Sequence, residues 1–392
     1  MTSPPTVLHV ATTDMTLELL LGPQLSAFAD AGYRVMAASA PGPYVEALQA
    51  RGVEHVPLRH ATRSMSLWED AQALPELVRL FRRLRPDIVH THNPKPGIYG
   101  RAAARLAGVP VVVNTVHGLY ALPEDRRARR LAVYSLERAA AACSQAELVQ
   151  NEEDLDVLRR LRVRPGRLVL LGNGIDLGRF DPGRFDVDAI ADARRALGAT
   201  REGEVVVGSV GRLVAEKGYR ELFAATGQLP ADVRVAVIGM DEPTKQDALT
   251  ATELAAASAA GVLLLGERHD VEWLYTGMDI FVLASHREGV PRAAMEAAAM
   301  GVPIVATNVR GCRQVVEHGV NGLLVPPRDP RALAEAIRHL AEDGPLRAQM
   351  AAVARARAER LFDQQRCIDV TLDVYARLLH GQRRPAPTGA LR

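Results

Sequence analysis

Two carboxylates and two cations draw attention by type and spacing. Glu288 and Glu296 lie eight residues apart in the run REGVPRAAMEA. Glu288 and Gly289 read as a loop. Pro291 falls where a helix should begin, because proline lacks the N–H that a first turn leaves unpaired. At helical rise the second carboxylate lies about 12 Å beyond the first. Carboxylates so placed could grip both ends of a hydroxyl-rich ligand, with the free N–H groups around residues 289–291 holding an anion between them. Glu296 is flanked by Ala293, Ala294, Met295, Ala297, Ala298, Ala299 and Met300. Little polar face is left for it, so its side chain is expected to meet something specific.

The cations sit in Gly211-Arg212-Leu213-Val214-Ala215-Glu216-Lys217-Gly218, directly after an apolar run. Two glycines and two cations at a strand-to-helix turn suit a diphosphate: Arg212 offers a forked donor and Lys217 a point charge. His117 follows another apolar run and precedes Gly118, a position that favours a functional histidine over a merely hydrogen-bonded one. His92 and Lys95 sit at a further strand end, where an acceptor-binding role and an ordinary polar loop are equally compatible. Arg126, Arg127, Arg129 and Arg130 cluster beside Leu131 at a helix start. They suit an anionic lipid or an acceptor diphosphate, and equally a solvated face paired with Glu124, Asp125 and Glu137. Cations at a helix N-terminus oppose its dipole.

These residues need a scaffold, and the chain supplies an alternation. Buried-looking strands are expected at 6–11, 33–39, 53–58, 87–91, 109–116, 146–149 and 168–171, with helical stretches near 15–30, 43–51, 67–84, 97–107, 126–142 and 151–161. Near-continuous apolar strands separated by helices imply a parallel sheet covered on both faces. Such sheets bind ligands beyond the carboxyl ends of their strands. Residues 172–200, rich in Gly, Asp and Arg, break the rhythm and read as a linker. The alternation restarts with strands at 204–210, 233–239, 262–265 and 279–284, and helices at 217–227, 244–259 and 270–277. A further strand is expected at 302–306, and helices near 330–342, 346–360 and 364–380 close the chain. The architecture repeats without a sequence repeat: an α/β chain of two Rossmann-like parallel-sheet domains facing across a cleft. Their bounds are 1–185 and 186–363. The helix 364–380 is expected to pack back on the first domain, and 381–392 to form a disordered tail.

Composition narrows the function. At 392 residues two domains are expected. A charge of +2 and only 4% aromatic residues give no case for a nucleic-acid partner. Three scattered cysteines form no zinc spacing or disulfide framework and read as reduced and mostly buried. The first strand begins without a basic, apolar leader, and no stretch is long and apolar enough to span a membrane. A cytoplasmic protein is expected, with peripheral contact at the inner face of the membrane as a further expectation. Asp154-Leu155-Asp156 has a D-x-D spacing but lies in the acidic run NEEDLDVL, so a solvated helix face is expected and no metal site is assigned.

In combination these segments resemble the retaining glycosyltransferases of family 4, which have the GT-B fold. The resemblance rests on GRLVAEKG (211–218), SHREGVPRAAME (285–296), GVPIVAT (301–307), GCRQVV (311–316), HGVNGLLV (318–325) and NGID (173–176). The first half matches more loosely through TTD (12–14), THNPKPG (91–97) and NTVHG (114–118). These segments are similar to those of bacterial enzymes that build lipid-linked or exported glycans. The resemblance implies that Arg212 and Lys217 hold and stabilise a leaving diphosphate, Glu288 touches the donor sugar, and Glu296 binds the ribose. It adds donor contacts for Gly211, Gly239, Gly289, Val290 and the helix at Pro291, and places Arg268 beside the base. It brings His117 to the transferred sugar and leaves Asp14, His92, Lys95, Arg126 and Arg127 for the acceptor. One departure is the first loop, Ala11–Thr16, which carries no glycine where the family often has two.

The implied reaction moves a hexose or N-acetylhexosamine from a nucleotide diphosphate sugar, a UDP-sugar by resemblance, to a hydroxyl. The expected acceptor is a polyprenyl-diphosphate-linked saccharide or cell-surface glycan precursor, with no cofactor and no metal required. The alternatives are a soluble natural-product acceptor, a GT-B nucleotide-sugar epimerase, and a nucleotide-sugar-binding regulator without catalysis.

Overall fold

The computed structural model describes residues 3–60, 67–92, 95–121, 125–243, 245 and 247–382. The chain divides into two compact units, Met1–Gly172 with Arg366–Arg392, and Asn173–Gln365.

The first unit is built on seven strands: β1 (Thr6–Thr13), β2 (Arg34–Ala40), β3 (Glu54–Pro57), β4 (Ile88–His92), β5 (Val111–Val116), β6 (Ala146–Val149) and β7 (Leu168–Leu170). They lie in the order β3-β2-β1-β4-β5-β6-β7, every pairing parallel. β4 and β5 are buried along their whole length, as strands covered on both faces must be. The second unit carries β8 (Val205–Val210), β9 (Val233–Ile238), β10 (Val262–Leu264), β11 (Ile280–Leu283), β12 (Ile304–Thr307) and β13 (Gly322–Val325). Their order is β10-β9-β8-β11-β12-β13, again all parallel. Both sheets start in the middle, run to one edge, then return past the first strand to the other edge. The reversal falls between β1 and β4 in one unit and between β8 and β11 in the other. At such a reversal the following loops splay apart and leave room for a ligand.

Several boundaries differ from the sequence reading. The region 172–200 is no free linker. Asn173 begins the second unit, Ile175 and Phe180 enter that unit's core, and a helix spans Val187–Ala196. The division therefore falls at 172/173 rather than 185/186. Helix content after β9 is limited to Ala251–Ala259, set by a capping box in which Thr250 and Glu253 each bond the other's backbone N–H. After β1 the expected long helix is a π-helical turn, Thr16–Leu20, followed by a helix at Gly22–Asp30. The tail beyond residue 382 lies outside the described residues. The final helix, Gln364–Gln382, puts Cys367, Ile368, Val374 and Tyr375 into the core of the first unit. All three cysteines are free, with Cys312 and Cys367 buried.

Candidate functional site

In the second unit two of the sequence-chosen residues, Lys217 and Glu288, meet at the sheet reversal. β8 ends at Val210 and the chain turns through a short 3-10 segment, Ala215–Lys217, to a helix at Tyr219–Thr226. Gly218 joins the two with φ +72, a left-handed value that side chains other than glycine resist. A Cβ there would lie 1.9 Å from the Ala284 carbonyl oxygen. The turn is thus pressed against the loop that follows β11. His286 N–H donates to the Glu216 carbonyl at 2.8 Å and fastens the same two loops. The Tyr219 hydroxyl donates to the Gly211 carbonyl at 2.8 Å and closes the turn on itself. Gly239, at the end of β9, must also be glycine: its Cβ would lie 1.8 Å from the Gly211 carbonyl oxygen.

This packing delivers Lys217 to Glu288. Lys217 Nζ stands 2.5 Å from Glu288 Oε1, which also accepts from the Ser285 hydroxyl at 2.6 Å. Ser285 is fixed in turn by Thr307, whose hydroxyl donates to its carbonyl at 2.5 Å. Arg212 Nη1 lies 2.6 Å from Glu242 Oε2, and Lys245 Nζ reaches the same oxygen at 3.4 Å. Burial and the Arg212 charge lower the Lys245 pKa. Glu242 and Ser285 were not singled out in the sequence. Their only signal is position, each just after a strand on either side of the turn.

Pro291 precedes the helix rather than opening it. The helix spans Arg292–Ala299, with Pro291 at its N-cap in an extended conformation. Gly289 and Val290 lead into it. Gly311 approaches so closely that a Cβ would lie 2.1 Å from the Gly289 carbonyl oxygen. The Val290 carbonyl accepts from the Asn173 side chain at 3.2 Å. Glu296 lies in this helix and does meet a specific partner: the Tyr275 hydroxyl donates to its Oε2 at 3.2 Å. Burial pushes the Glu296 carboxyl up, opposed by the Arg292 charge. Arg268, after β10, makes a two-pronged bond to Asp270 at 2.8 and 2.6 Å.

The first-unit residues are brought to that unit's own strand ends. His92 closes β4 and His117 follows β5, with His92 Nδ1 3.0 Å from His117 Nε2. Lys95 opens the helix Lys95–Ala107 and is buried. Asp14 is spent on backbone: its oxygens accept from Met15 N–H at 2.8 Å and Tyr44 N–H at 2.7 Å. Arg126 caps the helix Arg127–Ala141. Within that basic cluster, Arg129 pairs with Asp125 at 3.3 Å. Glu137 does not pair with the cluster. It turns inward to the fully buried Arg101, which also holds Glu147. Glu124 lies outside the described residues. Asp154 corrects an expectation: it is buried rather than solvated and accepts from the Leu119 N–H and the Asn151 amide. Asp156 alone is exposed, paired with Arg159.

Comparison with known proteins gives the same assignment along the chain. A model described as "Glycosyltransferase Family 4" matches residues 24–179, and "Glycosyl transferases group 1" matches residues 192–357. The chain is 32% identical over 287 residues to an α-1,3-galactosyltransferase of Escherichia coli, covering 72% of this chain and 73% of that one. This chain belongs to the family 4 glycosyltransferases. The Escherichia coli relative is named for UDP-Gal as donor and α-D-GlcNAc-diphosphoundecaprenol as acceptor. A capsular polysaccharide biosynthesis glycosyltransferase of Staphylococcus aureus, CapM, is 27% identical and covers 92% of this glycosyltransferase and 93% of itself. The fold is that of Anabaena Alr3699/HepE, solved with UDP and glucose, at a TM-score of 0.78 and 22% identity over 95% of this chain and all of that one. Among the described residues no helix is long and apolar enough to cross a membrane.

Proposed function

We propose that this glycosyltransferase moves a hexose or N-acetylhexosamine, with retention, from a UDP-sugar to a hydroxyl of a polyprenyl-diphosphate-linked saccharide. The observation that carries the donor half is the pairing of Lys217 with Glu288 between the loops after β8 and β11, with Arg212 held by Glu242 after β8. Two cations face carboxylates there, beside backbone N–H groups leading into a helix. In this reading Arg212 and Lys217 exchange their carboxylate partners for the diphosphate. Glu288, released from Lys217, takes up hydroxyls of the sugar, and Glu296 accepts from the ribose. Gly211, Gly239, Gly289 and Val290 keep the backbone close enough to reach the phosphates. For His117 the proposed role is a hydrogen bond to the transferred sugar. Arg268 is proposed to lie by the base, and His92 and Lys95 to serve the acceptor.

The acceptor hydroxyl attacks the anomeric carbon on the face from which the diphosphate departs. The bond to the leaving phosphate oxygen breaks as the new C–O bond forms, and that oxygen takes the acceptor's proton. The site's contribution is holding the reactants and stabilising the leaving charge. No metal is required by this scheme, since two side-chain cations face the leaving group.

The polyprenyl half is supported by the named acceptor of the Escherichia coli relative and by an exposed surface. Leu131 and Leu136 are 70% and 53% exposed on the helix that begins among Arg126, Arg127 and Arg130. Apolar residues beside cations suit the edge of an anionic bilayer. The test is a donor panel read by nucleotide release, with polyprenyl-diphosphate saccharides presented in anionic vesicles. UDP release that requires such an acceptor is expected. Epimerised donor without acceptor, or transfer only to water-soluble acceptors, would overturn the reading. Replacing Arg126 and Arg127 by Glu should weaken vesicle co-sedimentation and leave binding of the UDP-sugar unchanged.

A further inference from the structure

A line of imidazoles runs through the first unit. His9 lies on β1, His92 ends β4 and His117 follows β5. His9 Nδ1 is 3.1 Å from His92 Nε2, and His92 Nδ1 is 3.0 Å from His117 Nε2. The His9 and His92 rings are stacked, with centroids 5.4 Å apart. Burial holds these rings neutral: the pKa of His9 falls to about 3, that of His117 to about 4, and that of His92 well below its ordinary value. His117 also hydrogen-bonds the Gln150 side chain. At the other end, His9 Nε2 is buried without a hydrogen-bond partner.

A neutral imidazole has one N–H and one lone pair. Each N···N contact therefore holds one proton, and the three tautomers are locked to one another. Only two arrangements exist. In one, His9 Nδ1–H donates to His92, and His92 Nδ1–H donates to His117 Nε2, which leaves a bare lone pair on His9 Nε2. In the other every bond reverses, and His9 keeps a buried N–H with no acceptor, a situation folded proteins rarely tolerate. In the first arrangement His117 Nε2 accepts from His92, and the His117 N–H lies on Nδ1.

We infer that His92 and His9 are positioning residues for His117: the chain His9, His92, His117 fixes the His117 ring as an Nδ1–H donor whose Nε2 is already occupied. This rests on the proposed role of His117 at the transferred sugar and defines it. His117 can offer a ligand only its Nδ1–H, so the ligand atom it meets is an oxygen acceptor. It is not placed to remove a proton from a hydroxyl. His9, His90 and His92 also bring ring nitrogens within 4.8 Å of one another, a spacing open to a metal ion. Yet five of their six ring nitrogens are hydrogen-bonded, those of His90 to Tyr375 and Thr115. A metal would have to displace those bonds.

The test is long-range proton–nitrogen NMR of the full-length protein labelled with 15N-histidine, with the His117 signals assigned from His117→Gln. At neutral pH His117 should show the Nδ1–H pattern. His92→Phe keeps a ring against His90, whose centroid is 4.5 Å away, but removes both nitrogens. It should release His117 to a mixture of tautomers. Turnover should fall about tenfold, as loss of an orienting partner commonly costs, with the donor KM changed less than twofold. His9→Phe, which keeps the stack on Phe28, should loosen the His117 tautomer if His92→Phe does not fold. An Nε2–H pattern in the unmodified protein, an unchanged tautomer in both variants, or an equimolar bound metal by elemental analysis would overturn the inference. Unchanged sugar transfer in His117→Gln would instead remove the role of His117, while the tautomer pattern still decides the chain.

Discussion

Lys217 and Glu288 occupy each other at 2.5 Å, with side chains 23% and 9% exposed. A ligand that takes one must release the other, so neither residue acts alone. Lys217→Ala removes the charge proposed to meet the leaving diphosphate and leaves Glu288 without its cation. Loss of one preorganised charge partner at a reacting centre costs roughly a hundredfold or more in rate. The expected result is a kcat drop of that order with the thermal midpoint nearly kept, and near-normal turnover would end the assignment. Glu296 makes a prediction through pH. Its carboxyl is pushed above the ordinary value by burial, so the folded chain holds that proton more tightly than the unfolded chain. As pH rises from the ordinary carboxylate value, the unfolded state releases the proton first, and stability falls until the folded pKa is passed. Glu296→Gln should therefore gain on the parent in urea midpoint between pH 5 and 8 while its donor KM rises. A constant difference across that range would contradict the buried, elevated carboxyl. Arg212, Lys217 and both glutamates could be picked out as candidates because residue type and spacing set them apart within short runs. Glu242 and His9 could not. Each matters through a partner brought beside it by strand pairing, and no local pattern announces such a partner.

At the scale of elements, the site depends on three close backbone approaches: Gly218 to Ala284, Gly239 to Gly211, and Gly311 to Gly289. Each joins a loop after one strand to a loop or helix after another. A methyl group at any of them would part the loops that bring Lys217 to Glu288. Gly218 carries the further demand of a left-handed φ. Gly218→Ala should lower the unfolding free energy by about 2 kcal/mol or more and reduce turnover more than it raises the donor KM. Urea denaturation and steady-state kinetics together check it, and a stable, active variant would show that the loops can separate without cost. The alternation of apolar runs and helices made the parallel sheets legible. The strand order was not, because alternation alone allows several crossovers. Pro291 was misplaced by one position: the residue that cannot donate an N–H serves equally at the N-cap, where its extended conformation leads the loop into the helix.

At the scale of the molecule, the chain leaves the first unit and later returns to it. Where it leaves and returns, two stretches of the second unit run side by side. Ile175 N–H donates to the Phe362 carbonyl at 2.8 Å, and Gln364 N–H donates to Ile175 at 3.0 Å. Gly174 is pressed there against the Gln364 backbone. The helix Gln364–Gln382 then completes the first core with Cys367, Ile368, Val374 and Tyr375. Tyr375 is fully buried and its hydroxyl bonds His90 at 2.5 Å. It thereby touches the histidine-bearing strands of the first sheet from the far end of the sequence. The first unit therefore cannot complete its core until residues 367–375 have been made, whereas the second unit is one continuous segment. Removing residues 366–392 should abolish the first unit's calorimetric transition and leave that of the second close to its original temperature. Tyr375→Phe is the finer probe: it keeps the ring and loses only the hydroxyl, so it should destabilise by about 1–2 kcal/mol and act on the first unit alone. If the truncated chain keeps both transitions, the last helix is an appendage. If it loses both, the second core also depends on that helix, and the division of the chain into independent cores fails.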